Sequence, residues 1–185
     1  METLSYQDVN QHVIKRCKDG DNRAQYELYK LYSKAMFNVS MRITNDYAEA
    51  EDVLQEAFIS AFKNLSSYKS EASFGSWLKR IVINASINAI RKRRSELVPI
   101  DERVVGDIAD ESDEDETEWQ VEKVRRAIQK LPDGYRVVLT LYLLEGLNHR
   151  EIGEVLHITE STSKSQYSRA RKKLIEIMRE PQFSA

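Results

Sequence analysis

A lone cysteine, Cys17, leaves no partner for an intrachain disulfide. The three histidines, His12, His149 and His157, are not spaced with cysteine or carboxylates as metal ligands are. Six glycines and three prolines are too few for the many turns of a β-rich fold. The longest apolar stretch, Val137 to Leu144, is far short of a membrane span. Met1 to Gln11 is polar and has no apolar signal core, so the expectation is a reduced, cytoplasmic chain without direct membrane insertion. Phosphate-binding glycine loops, zinc-ligand sets and nucleophile elbows are also missing, and the acidic pairs fall on exposed helix faces or in a linker. Catalysis, metals and cofactors are therefore not expected.

What is present is helix-forming and charged. The 185 residues allow one ordinary domain or two small ones. The net charge of −2 hides an uneven distribution. Residues 101–118 hold ten carboxylates against Arg103 alone, a local −9, which leaves +7 on the rest of the chain. Excess positive charge favours polyanions, whose condensed counterions are released on binding. The alternative, solvated basic helix faces, depends on the cations being scattered, and here they cluster.

Helical apolar spacing runs from about Tyr6 to Arg94 and resumes from Trp119 to Met178. Residues 95–118, with Pro99, Gly106 and the acidic run, read as an exposed linker. The predicted fold class is therefore all-α: two small helical domains, 1–94 and 119–185, joined by an acidic linker over 95–118. In the first, four or five helices are expected, with Ser5 or Asp21 capping early ones, Asn45 or Asp46 starting another, and Ser73 preceding the helix that carries Trp77 to Arg94. In the second, Pro132 ends a helix near Leu131, and another runs from about Gly134 to Glu145, with Gly146 marking its end.

Asn148 and Glu151 then form a capping box for a short helix, His149 to Leu156. His157-Ile158-Thr159 reads as a turn, and Thr159 caps a longer helix to about Met178. Ile152, Leu156 and Ile158 fill the angle of this helix-turn-helix. On a wheel of the last helix, Tyr167, Ala170, Leu174 and Ile177 form the packing face. Ser161, Lys164, Ser165, Ser168 and Lys172 lie opposite. Short hydroxyls permit close approach, while Lys164, Arg169 and Arg171 supply phosphate or base contacts; Arg150 joins this candidate DNA-binding set. A C-terminal helix with a solvated basic face is the alternative. Ser163 falls on the packing face, which implies either a bond back to a carbonyl or a loose core.

In the first domain, Leu78, Ile81, Val82, Ala85 and Ala89 form the predicted buried stripe of one helix. Arg80, Asn84, Asn88 and Arg91 align on another face, with Lys92 in the basic end Arg91 to Arg94, a combination suited to phosphates and base edges, although dipole compensation also places cations there. In the preceding segment, Tyr68 and Phe74 either receive an unstacked base or are core aromatics. The helix from about Asp46 to Leu65 buries Ala50, Leu54, Ala57, Phe58 and Ala61. It exposes Glu49, Asp52, Gln55 and Glu56 around Ile59, which is either a small docking patch or an acidic face with one stray isoleucine.

Several motifs occur in a fixed order: Ala50-Glu51-Asp52-Val53-Leu54-Gln55-Glu56-Ala57-Phe58; Phe74-Gly75-Ser76-Trp77-Leu78 with Ile81 and Asn84-Ala85; and the Arg91 to Arg94 run. Leu131-Pro132, Arg136, Glu145-Gly146, Glu151-Ile152, Thr162-Ser163-Lys164-Ser165 and Arg169-Ala170-Arg171 follow. In this order the chain resembles the extracytoplasmic-function (group four) sigma factors over nearly its whole length. The resemblance implies a transcription-initiation specificity factor that binds core RNA polymerase, through the beta-prime clamp and the beta flap, and promoter DNA. It implies that Asp52, Gln55, Glu56 and Ile59 meet the clamp, and that the Trp77 to Arg94 helix and the loop before it read the melted minus-ten element, with Asn84 near an extruded base. By the same similarity, Lys164, Ser165, Ser168 and Arg169 lie at the minus-thirty-five element, and an anti-sigma factor is a further partner. Ser163 and Ser168 depart from the family, which commonly has an aliphatic residue at the first position and a bulkier or basic one at the second. A free-standing helix-turn-helix regulator is the alternative function, but the first half shows no receiver pattern or ligand-pocket motif.

Overall fold

The computed structural model describes residues 10–96 and 116–180, and among them every regular element is helical. The chain divides into two compact units between Glu96 and Leu97. The expected Ser5 cap and most of the acidic linker lie outside the described residues.

The N-terminal unit contains α1 (Gln11–Lys18), α2 (Asn22–Thr44), α3 (Tyr47–Lys63), a 3-10 turn at Leu65–Ser67 and α4 (Phe74–Glu96). Asp21 caps α2 by accepting from the backbone N–H groups of Arg23 and Ala24. Asn45 ends that helix in the left-handed conformation at φ 57°, and Asp46 caps α3 through the Glu49 N–H. The two candidate starters are thus a stop followed by a start. Ser40 Oγ donates to the Ala50 carbonyl at 3.1 Å, joining α2 to α3 inside the core. Leu28, Ile43, Phe74, Leu78, Val82 and Ile83 are almost completely enclosed. Burial of each large apolar side chain contributes about 1.5–3 kcal/mol.

The predicted stripe on α4 needs correction. Leu78 and Val82 are buried, but Ile81, Ala85 and Ala89 are only half-buried, whereas Ile83, Ser86, Ile87 and Ile90 are enclosed. Because α4 packs against both α2 and α3, its buried arc is wider than a single-partner stripe and rotated from it.

The C-terminal unit contains α5 (Glu116–Gln129), α6 (Asp133–Leu143), α7 (His149–Leu156) and α8 (Glu160–Met178). Proline disfavours helical backbone at the residue before it, so α5 stops ahead of Leu131, whose side chain turns into the core. The buried Arg136 guanidinium holds this corner by donating to the Leu131 carbonyl at 3.0 Å and to the Asp133 carboxylate. Helix α6 ends at Leu143, before the expected Glu145, and Gly146 follows at φ 77°. Both halves of the Asn148–Glu151 capping box form, and Thr159 accepts from the Thr162 N–H to start α8. Ala127, Ile128, Leu131, Leu139, Ala170 and Ile177 make the core, with Leu174 packed at its margin.

Candidate nucleic-acid interface

Helices α7 and α8 build one charged surface in the C-terminal unit. Ala170 and Ile177 are buried, and Tyr167 and Leu174 are half-buried, which fixes the rotation of α8 as its sequence period requires. The opposite side consequently exposes Ser161, Lys164, Ser165, Ser168, Arg169, Arg171 and Lys172, while Arg150 is exposed on α7. Gly153 permits the tight approach of the two helices: a Cβ there would lie 2.7 Å from the Ile158 carbonyl oxygen. Ile152 is enclosed at the angle, with Leu156 and Ile158 half-buried.

The acidic partners of Lys164 and Arg150 on this surface are themselves exposed. Lys164 pairs with Glu160 at 2.6 Å, and Arg150 lies 3.6 Å from Glu154. The Lys164 ammonium holds the Glu160 carboxyl below its usual range, and the fields of His149 and Arg150 add to that effect. Solvent screens exposed pairs of this kind and leaves them weak, so exchange of Glu160 for a phosphate oxygen costs little. Arg171 stands 6.0 Å from the centre of the Tyr167 ring, which steadies its long side chain.

Ser163 resolves differently from either expectation. Fully buried, its Oγ lies 3.0 Å from His149 Nδ1. The imidazole stacks on Tyr142 with centroids 4.6 Å apart and planes 14° apart, and Tyr167 meets it edge-on at 5.6 Å. Helices α6, α7 and α8 therefore converge on His149, a residue that wheel analysis of α8 alone does not reveal. The available signal was a hydroxyl on a packing face, fourteen positions after a histidine at the start of the adjoining helix.

In the N-terminal unit, α4 exposes Arg80, Asn84, Asn88, Arg91 and Lys92. Arg91 donates to Asn88 Oδ1 at 3.5 Å. Arg93, from the same basic run, turns inward: its Nη1 lies 3.1 Å from Glu49 Oε2 and 3.4 Å from the Thr44 carbonyl. Glu49 is accordingly half-buried rather than part of an exposed acidic face. This pair ties the end of α4 to the α2–α3 corner, across a sequence separation that helical periodicity cannot register.

Tyr68 and Phe74 are core aromatics, with only 3% and 0% of their surface exposed. Their rings meet edge-on at 5.6 Å, and each contacts Trp77. Tyr68 Oη donates to the Ala72 carbonyl at 2.8 Å, while Lys18 Nζ donates to the Tyr68 carbonyl at 2.8 Å. The segment before α4 is thereby closed on itself, leaving Lys69, Ser70 and Glu71 exposed at its tip. On α3, Asp52, Gln55, Glu56 and Ile59 are all exposed, Ile59 at 55%. An exposed isoleucine bordered by carboxylates and an amide has the outline of a protein contact. Among the described residues, no cluster of His, Cys, Asp or Glu could hold a metal ion, and no helix is long and apolar enough to cross a membrane.

Residues 28–96 match the Sigma-70 region 2 family, and residues 121–174 match Sigma-70, region 4. The chain is 32% identical over 179 residues to the ECF RNA polymerase sigma factor SigW of Bacillus subtilis, covering 90% of this chain and 95% of that protein. It is 33% identical over 181 residues to the RNA polymerase sigma-H factor of Pseudomonas aeruginosa, covering 90% and 92%. The fold is similar to that of the sigma factor RpoE solved in complex with the anti-sigma factor NepR from Bartonella quintana. That similarity has a TM-score of 0.56 at 19% identity and covers 84% of this chain and 97% of the other.

Proposed function

Because the chain belongs to the extracytoplasmic-function sigma factors, which direct RNA polymerase to promoters, we propose a division of that work between its two units. Residues 1–94 dock on the polymerase and read the melted minus-ten element, while 119–185 read the minus-thirty-five element as duplex; 95–118 connect them. The exposed surface of α8 carries this reading: small hydroxyls alternate with Lys164, Arg169 and Lys172 beyond a capped, close-packed turn, as entry of a helix into a major groove requires.

On α4, Arg80, Asn84, Asn88, Arg91 and Lys92 contact the melted strand, with Asn84 at an extruded base. Arg150, Ser161, Lys164, Ser165, Ser168, Arg169, Arg171 and Lys172 contact the upstream duplex. Asp52, Gln55, Glu56 and Ile59 meet the beta-prime clamp helices, and the beta flap receives the C-terminal unit. RpoE was solved in complex with an anti-sigma factor, which supports an anti-sigma factor as a partner here too. The protein acts in the cytoplasm and contributes promoter recognition rather than catalysis. Matches spanning both units favour this reading over a free-standing regulator.

The test is co-elution with core RNA polymerase followed by run-off transcription on promoters that the holoenzyme selects from a randomised duplex library. Asn84→Ala should lower open-complex formation with little change in closed-complex affinity. Lys164→Ala should weaken closed-complex binding by about 1–3 kcal/mol if a base contact is lost. If Asn84→Ala altered preference only in the upstream duplex, the assignment of units to promoter elements would be wrong.

A further inference from the structure

Resting on the reading of α8 as the duplex-binding helix, we propose that His149 is a further DNA contact, an imidazole held by Ser163 so that its second nitrogen meets a backbone phosphate at the upstream element. Three observations converge on this residue. First, the ring cannot swing: Nδ1 lies 3.0 Å from the buried Ser163 Oγ, one face stacks on Tyr142, and Tyr167 meets it edge-on. Second, Nε2 has no hydrogen-bond partner among the described residues, and the side chain is only partly buried. A fixed ring with one nitrogen bonded internally and the other available is arranged to deliver a hydrogen bond in one direction. Third, Arg150 and Lys164 flank the same first turn of α8, each of them acting, like His149, on the Glu160 carboxylate there.

The helix before a recognition helix crosses the DNA backbone, while the recognition helix enters the groove. His149 opens that preceding helix, α7, and is tied to the first turns of α8 through Ser163. A phosphate rather than a base edge is therefore its ligand. An N–H on Nε2 donates to the phosphate oxygen, and protonation of the imidazole adds charge assistance.

The groups facing the ring set the sign of the pH dependence. Tyr142 comes from α6; Ser163, Tyr167, Glu160 and Lys164 come from α8; Arg150 is its neighbour on α7. Glu160 and Lys164 are already paired at 2.6 Å, so they largely cancel. An arriving phosphate places negative charge beside Nε2 and favours the protonated ring in the complex. Duplex binding should therefore take up a proton and tighten as pH falls from 8 to 6.

The experiment measures closed-complex affinity of the full chain with core RNA polymerase at pH 6 and pH 8, over a salt series, on the selected duplex promoter. His149→Phe alone strands the buried Ser163 hydroxyl, so the comparison is between Ser163→Ala and the double variant His149→Phe/Ser163→Ala. Both remove the internal bond, both retain an aromatic ring against Tyr142, and circular dichroism checks that both are folded. Ser163→Ala, in which the Tyr142 stack and the Tyr167 edge still hold the ring, should retain a tightening of about three- to tenfold between pH 8 and pH 6 beyond the double variant, which lacks the titrating imidazole. The double variant should also have a shallower salt dependence at pH 6, by close to the roughly 0.9 log units per log unit of salt that one phosphate contact contributes. Equal pH ratios for the two variants would overturn the proposal, as would a lost pH effect with an unchanged salt slope, which would make His149 purely internal. Lys164→Ala separates this outcome from the underlying reading. It should weaken binding at both pH values and keep the pH ratio; no effect of Lys164→Ala on duplex affinity would instead remove α8 from the upstream element.

Discussion

Replacing Gly153 by alanine sets two effects against each other at the turn between α7 and α8. Alanine is favoured over glycine within a helix by about 1 kcal/mol, and Gly153 is helical. Against this, the new Cβ would lie 2.7 Å from the Ile158 carbonyl oxygen, with Glu160 N at 3.5 Å and Thr159 C at 3.6 Å. Those atoms are backbone and cannot rotate away. Ile158 is held by its own N–H bond to the Gly153 carbonyl at 3.0 Å, and His157 before it is in the left-handed conformation at φ 56°. Moving the turn outward also strains the Thr159 cap of α8, worth about 1 kcal/mol. Overpacking of this kind costs about 1–3 kcal/mol, so the loss exceeds the propensity gain by about 2 kcal/mol. For a domain of 60–100 residues, each kcal/mol moves the midpoint by about 4–8 °C. Calorimetry of the full chain should therefore show the C-terminal unit melting on the order of 10 °C lower in Gly153→Ala, with the N-terminal unit unchanged. Glu154→Ala, one position along on the exposed side, is the control and should stay within about 0.5 kcal/mol. An unchanged or raised midpoint for Gly153→Ala would show that the turn yields and that the close approach does not govern the geometry of α8.

Three other outcomes follow from the charges and the thiol. Arg93→Met should destabilise the N-terminal unit by about 1 kcal/mol in urea unfolding, because the Glu49 pair is only partly screened; the Arg93→Met/Glu49→Gln double variant should be no worse than the more damaging single one, and additive losses would refute the pairing. Hydrogen bonding from Arg16, then from the capped N–H groups, holds the Asp21 carboxyl below the usual carboxylate range. That contribution is present above about pH 4 and is lost as pH falls through the lower folded value, so wild-type melting should drop more between pH 5 and pH 3 than that of Asp21→Asn. Burial pushes the Cys17 thiol up to about 11; at pH 8 iodoacetamide should modify it about two orders of magnitude more slowly than an exposed thiol, and rapid labelling of the folded chain would contradict its burial.

Features written within one turn of helix were legible in the sequence. Asn148, Glu151 and Thr159 declare the ends of α7 and α8 through local hydrogen bonds, and the rotation of α8 follows from the spacing of Ala170 and Ile177. Features set by distant partners were not. Glu49 belongs on the exposed face by periodicity, yet Arg93, far along the chain, draws it inward. Ser163 looks like a flaw in α8 until His149 supplies its partner. On α4 the period was visible but its phase was not, because contact with both α2 and α3 buries Ile83, Ile87 and Ile90 as well as Leu78 and Val82.

The closed segment before α4 has a consequence for how such a protein can diversify. Tyr68 anchors it from within through its hydroxyl bond to Ala72 and its packing on Phe74 and Trp77, and Lys18 fastens it from α1. Lys69, Ser70 and Glu71 at the tip take no part in those restraints and face solvent. The entropy of ordering this stretch is therefore spent when the unit folds, not when something binds it. Its mounting and its outward chemistry are also separable: residues at the tip can be exchanged without disturbing the core, while the aromatic base continues to present them in one shape. A lineage can thus acquire a new target by changing Lys69 and Glu71 with little cost in stability, whereas Ser70, at φ 59°, restricts its position to residues that accept the left-handed conformation.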